Sequence, residues 1–374
     1  MTATSASGPI LQRFPLGAQW PTVDPFLFVA HHLDRYPAGN ESLGPDASLD
    51  GRRIGMDFDG VDDWNMYHGA TVPGFPQHPH RGFETITHVR HGHVDHADSL
   101  GATARFGRGD TQWMTAGGGI VHAEMFPLLD EAAPNPLELF QIWLNLPATD
   151  KLVDPYFTML WREDTPLVVI PAATGHGSVE VTVIAGRFAQ PVAQPVAEPA
   201  AQPAAEAGTD ENKAGTVTTG PPPPPNSWAS RPDADVAVWH LAITDDAQVT
   251  LPAAPGTRRS VYVFDGAAIS VGDSATAAGI DPSTGAEVVA DSSLQIQSSG
   301  ERSECLVLQG RPIGETVAQY GPFVMNDRQG IVTAMEDYQR TGFGGWPWPS
   351  DDPVHERSAT RFARHADGKV ENPA

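Results

Sequence analysis

Two ligand-capable pairs, His78-Pro79-His80 and His122-Ala123-Glu124, stand within one glycine-punctuated stretch, Gly74 to Phe126, and they constrain the fold more than any other feature of the chain. Successive side chains of a β-strand point to opposite faces, so residues i and i+2 share a face. Each pair therefore presents both of its members to one side of its strand. If both strands line the inside of one small barrel, three neutral imidazoles and a carboxylate can converge on a single ion, a donor set that suits iron, manganese, nickel, copper or zinc. Gly92, Gly101, Gly107 and Gly109 fall where short antiparallel strands must turn, and Gly117-Gly118-Gly119 lets the backbone bend just before His122. That glycine run either only turns the chain or also admits close approach of a substrate.

A second carboxylate competes for the fourth position. Glu84 follows His80 by four residues and shares its strand parity, so spacing leaves both Glu84 and Glu124 open. The other histidines read as bystanders. His31 and His32 are adjacent and must face opposite sides, so they are structural or surface groups, and His68 sits near the site mouth without a strand partner. His88, His91, His93 and His96 read as the rim of a hairpin turning at Gly92, with no carboxylate or thiolate set to make a second metal site. Trp113 and Met114 are barrel core by default, or an apolar wall for a flat substrate.

The motifs HPHRGFET (His78 to Thr85), DSLG (Asp98 to Gly101), GDTQWMTAGGGIVHAE (Gly109 to Glu124), QIWLNLP (Gln141 to Pro147) and GPFVMN (Gly321 to Asn326) together resemble the pirin family, a bicupin branch of the cupin superfamily. The resemblance spans the chain from about Asp24 to Trp348, apart from one inserted segment. It implies an all-β fold of two tandem cupin barrels, double-stranded β-helices of jelly-roll type, with a C-terminal helix packed on them. It further implies one mononuclear divalent metal, Fe(II) first and Mn, Ni, Cu or Zn as alternatives, held by His78, His80, His122 and Glu124. Glu84 then becomes a neighbour that orients a histidine or takes a proton. The activity implied is that of a quercetin 2,3-dioxygenase: a small flavonoid-like substrate binds with O2, Glu124 or Glu84 accepts the flavonol proton, and the ring opens with loss of carbon monoxide. The alternative is a non-enzymatic, iron-dependent redox sensor acting through a protein partner. The family resemblance also implies a monomer.

The organisation read from the chain is a loose lead-in over 1–24, the metal-bearing barrel over 25–165, a second barrel over 166–325, a helix and turn over 326–348 and a flexible tail over 349–374. Within the second barrel, 190–226 (QPVAQPVAEPAAQ… to PPPPPN) is a disordered or polyproline-like Pro/Ala-rich insert, with too little apolar bulk to offset the entropy of ordering it. From Ser178 to Pro322 the only histidine is His240, so this barrel is expected to bind no catalytic metal. Ile331, Ala334, Met335 and Tyr338 recur at helical spacing after a cap at Asn326 or Asp327, with Gly342 at the far end. Cys305, the sole cysteine, lies in an alternating strand and reads as a core hydrophobe in a reducing cytoplasm. A net charge of −23 disfavours direct contact with nucleic acid. No apolar run approaches a membrane span, and the first residues lack the basic and apolar regions of a signal peptide.

Overall fold

Alternation is literal in segments such as Ser178–Ala185, where Val179, Val181 and Val183 are wholly buried and Glu180 is exposed. Repeated along the chain, that pattern gives antiparallel strands with one apolar face, and two such faces closed on each other make a barrel. The computed structural model describes residues 8–173, 175–190, 216–245 and 247–373. It divides into two compact units: Met1–Arg13 with Pro166–Gly220 and Ala237–Gln309, and Phe14–Thr165 with Pro221–Val236 and Gly310–Ala374.

In the unit that carries the motifs, one sheet runs Tyr156–Leu160, Thr111–Thr115, Phe83–His91, Asn135–Asn145, Phe26–Tyr36, Gln19–Pro21. The other runs Val370–Glu371, Phe362–Arg364, Thr103–Gly107, His93–Asp98, Ile120–Met125, Gly74–His80. Val89, Met114, Leu137 and Leu139 of the first sheet share one core with Val94, Ala104, Phe106 and Ile120 of the second. This is the closed, double-sheeted barrel that the cupin resemblance implies. Met114 belongs to that core, whereas Trp113, its neighbour on the strand, is buried on the opposite face.

The second unit pairs a seven-stranded sheet with a four-stranded one. Its interior is filled by side chains such as Val181, Trp239, Leu241, Val261, Ile269 and Leu294, and by Cys305, whose thiol burial pushes up to about 12.

The helix spans Arg328–Thr341, with the Asp327 carboxylate accepting from Gly330 N at 2.7 Å and Gly342 closing it in the left-handed conformation at φ 56°. Its buried residues Ile331 and Ala334 pack with Phe323, Phe343 and Val121. Val121 stands on the strand that carries His122, so the helix backs that strand from outside. Gly119, at φ 131°, lies so close to the Phe343 ring that a Cβ there would come within 2.5 Å of it. Close packing against Phe343, together with the turn, accounts for this glycine.

Three expectations need correction. The lead-in is not loose throughout: Ile10–Pro15 forms the edge of the seven-stranded sheet, and Gln19–Pro21 pairs with Phe26–Tyr36. Residues 191–215 of the insert lie outside the described residues, but within its remainder Val217–Thr219 pairs with Arg187–Ala189. The tail is not flexible over 349–373. Phe362–Arg364 adds to the barrel beside Thr103–Gly107, and the buried Arg105 guanidinium donates to the carbonyls of His355, Glu356 and Ala359. Short edge strands need little more than backbone pairing, and so leave almost no compositional trace.

Candidate metal centre

The strand Gly74–His80 contains two prolines, which it tolerates because it is the edge of its sheet. Its register with Ile120–Met125 shifts at Pro76-Gln77: Phe75 opposes Glu124, yet His78 opposes His122. That bulge inserts one residue, and it lets Phe75 and His78, three apart, face the same way. His78, His80 and His122 are thereby brought together, with one ring nitrogen of each lying within 4.8 Å of the others. Ring centroids are 4.4 Å apart for His78 and His122, 4.8 Å for His78 and His80, and 4.9 Å for His80 and His122.

The protonation state suits a cation. Burial, followed by the repulsion of neighbouring imidazoles, holds His80 and His122 well below the usual histidine range; burial likewise lowers His78 to about 4, against a hydrogen bond to the Pro76 carbonyl. All three are neutral at physiological pH. His78 Nδ1 donates to Pro76 O at 2.9 Å, which fixes the tautomer and frees Nε2. Both ring nitrogens of His80 and of His122 are buried without a hydrogen bond of regular geometry, although the Pro322 carbonyl lies near enough to the His80 ring to raise its pKa slightly against burial. Buried polar atoms are rarely left unsatisfied, and two imidazoles with lone pairs converging on one point have the donor chemistry of a metal site. The residues present therefore fit a divalent metal.

The carboxylates divide differently from their spacing. Glu124 projects from the same strand face as His122, its Oε2 3.8 Å from His122 Nε2. Its oxygens accept from Gln141 Nε2 at 2.7 Å and Thr87 Oγ1 at 3.2 Å, two residues paired on the facing sheet. Burial raises its carboxyl above the ordinary range. Glu84 belongs elsewhere. The strand of His80 ends there, the chain turns through Gly82 at φ 86°, and a new strand begins at Phe83, so parity does not carry across. Its carboxylate accepts from Thr115 Oγ1 at 2.7 Å and from Ser227 Oγ. Lys151, a buried ammonium, locks the same turn by donating to Gly82 O, Asn145 Oδ1 and Val324 O.

Burial, eased by those hydroxyls, pushes Glu84 up to about 7 from an ordinary 4.5. The folded protein thus holds a proton on Glu84 that the unfolded chain has lost between those values. Its contribution to stability is full below pH 4.5 and disappears as pH rises through about 7, a change of at most about 3 kcal/mol. In urea denaturation at stepped pH, Glu84→Gln should lose less stability than the parent across that window; parallel profiles would refute the assignment.

His96 was misplaced by its spacing from Gly92. It is wholly buried, opposes Glu124 in register, and its ring lies 5.5 Å from that of His122. Nε2 meets Asp98 Oδ2 at 3.1 Å, and Nδ1 has no hydrogen-bond partner. Its parity with Val94, a core residue two positions earlier, was the available signal. His91, in contrast, is exposed as a rim histidine should be, and His31 stacks on Phe140 while meeting Glu138 at 3.0 Å.

Comparison with known proteins bears on this geometry. The Pirin family pattern matches residues 11–144, and that of the Pirin C-terminal cupin domain matches 238–344. A Pseudomonas aeruginosa protein named "Putative quercetin 2,3-dioxygenase" is 34% identical over 72% of this chain and 79% of its own. Human pirin is 30% identical over 75% of this chain and 81% of its own. Among solved structures, a quercetin 2,3-dioxygenase from Acinetobacter baumannii superposes with a TM-score of 0.62 at 24% identity, covering 91% of this chain and 99% of that one. At that identity the likeness speaks for the two-cupin fold.

Proposed function

This chain belongs to the pirin family, and from that premise we propose that it is a metal-dependent dioxygenase of the quercetin 2,3-dioxygenase type, opening the ring of a flavonol with O2. The observation that carries the reading is the convergence of three neutral imidazoles, those of His80 and His122 buried with no hydrogen bond at either nitrogen and that of His78 offering Nε2, with the Glu124 carboxylate beside them. The name of the Pseudomonas relative supports the substrate class. Three histidines and Glu124 would hold the ion, read as Fe(II) with Mn, Ni, Cu or Zn as alternatives, and leave open positions on a metal that prefers five or six ligands. A metal held there supplies Lewis acidity toward a substrate hydroxyl and an electron path to O2.

The residues around it have separable tasks. His80 and His122, nearly free of solvent contact, keep water from the inner side of the centre. Glu124 accepts the proton of the flavonol hydroxyl, and Gln141 and Thr87 hold it in place to receive that proton. Elemental analysis followed by O2 uptake and carbon monoxide release with quercetin tests the reading. About one metal per chain, turnover above that of free metal, and at least a 100-fold loss in Glu124→Gln are expected. A full metal site without quercetin-dependent uptake would shift the assignment to a metal-dependent regulator working through a protein partner.

A further inference from the structure

Of the three histidines, only His78 retains partial exposure, so a substrate must approach the centre past that ring. A row of aromatic rings leads to it. Phe58 lies 5.1 Å from His68, His68 lies 5.7 Å from Phe75, and Phe75 lies 6.2 Å from His78, each pair edge-on. Tyr67 stacks behind Phe75 at 5.1 Å, and Phe126 closes on it at 6.0 Å.

The segment that presents Phe58 exposes four large apolar side chains within eight residues: Ile54 at 43%, Met56 at 59%, Phe58 at 48% and Val61 at 42%. Exposure on this scale marks a contact surface, and here the surface is pinned from behind. The buried Arg52 guanidinium donates to Asp57 Oδ2 at 2.9 Å and to the carbonyls of Trp64 and Val61, and sits 3.3 Å above the Trp64 ring. The apolar groups therefore stand ready in position before anything binds. His68 Nδ1 donates to Gly55 O at 2.6 Å, which leaves its Nε2 as the ring nitrogen able to accept from a hydroxyl.

We infer that Phe58, His68 and Phe75 form the recognition wall for the substrate, a planar aromatic carrying a phenolic hydroxyl, whose rings pack on the phenylalanines while His68 accepts the hydroxyl. The inference rests on the flavonol reading of the centre and adds the specificity surface to it. A cleft of about 390 Å³ lined by Asp98, Phe157 and His365 is the competing approach. It is closed off from the three histidines by the wholly buried His96, whose ring meets Phe157 at 5.0 Å and whose Nε2 meets Asp98.

The test is anaerobic binding of quercetin to the zinc-loaded protein, followed by the flavonol absorbance shift. Phe58→Ala and His68→Ala should each raise Kd by about 10-fold, and the double variant by more, with zinc content unchanged because neither side chain faces the ion. In the iron-loaded enzyme the same variants should raise KM. Leu100→Ala, at the edge of the competing cleft, is the control and should bind as the parent does. Parent-like binding by both wall variants overturns the inference and leaves the exposed row as a protein-docking patch. Weakening by Leu100→Ala alone overturns it in favour of the cleft. If the parent itself binds no quercetin, the flavonol reading of the centre falls, and this inference falls with it.

Discussion

A His122→Ala protein should fold, bind metal at least about 100-fold more weakly than the parent, and show no quercetin-dependent O2 uptake. Loss of groups that merely orient a metal ligand costs 10–100-fold in affinity, and His122 is itself one of the three converging imidazoles. The apo-protein should be little affected. Truncation leaves a cavity, which costs about 2–5 kcal/mol for a large side chain, but it also removes two buried nitrogens without a hydrogen bond, whose penalty of about 1–3 kcal/mol each offsets much of that. The difference should appear only with metal present. A ligand at 100 times its Kd stabilises the folded state by about 2.7 kcal/mol, so the parent should melt several degrees higher with metal and the variant should not. Full metal content and an undiminished melting shift in the variant would remove His122 from the centre.

Arg105→Met should cost more in stability than any other substitution considered for this chain. The Arg105 side chain is almost completely buried, and it grips Asp95 with Nε at 2.6 Å and Nη2 at 2.7 Å, while Nη1 and Nη2 hold the His355, Glu356 and Ala359 carbonyls. Methionine fills much of the volume but leaves the buried Asp95 carboxylate without its cationic partner, holding only the His355 N–H, and removes the side-chain donor to the His355 and Ala359 carbonyls. Breaking a buried pair from one side typically costs 3–5 kcal/mol. Two readouts separate the pair from the docking it supports: urea denaturation reports the global loss, and limited proteolysis should cut the 349–373 segment early. In Asp95→Leu/Arg105→Met, no uncompensated charge remains, so stability should partly return while the tail stays sensitive to protease. A single variant as stable and as resistant as the parent would contradict this account.

Strand parity carried the reading of the site as far as parity can go. It brought His78, His80 and His122 to one face of paired strands because each i, i+2 relation lies inside one unbroken strand. It failed at Glu84, since the chain turns at Gly82 and restarts its alternation at Phe83. At His96 the reading looked to the turn instead of to parity, although Val94 and His96 two residues on share the interior face. The Phe75 contribution was hidden altogether: its spacing from His78 is odd, and only the bulge turns both inward.

The sequence alone determined the all-β architecture, the helix with its Asp327 cap and the three-histidine signal, because each rests on local periodicity or capping chemistry encoded within a few consecutive residues. Tertiary structure decided the rest. Which carboxylate lies beside the histidines depends on what faces it across the barrel, here Gln141 and Thr87 for Glu124 and Ser227 and Thr115 for Glu84. The anchoring of the tail depends on an arginine some 250 positions earlier in the chain. Interactions between residues so distant in sequence have no local period, and only the closed barrel brings them within hydrogen-bonding reach.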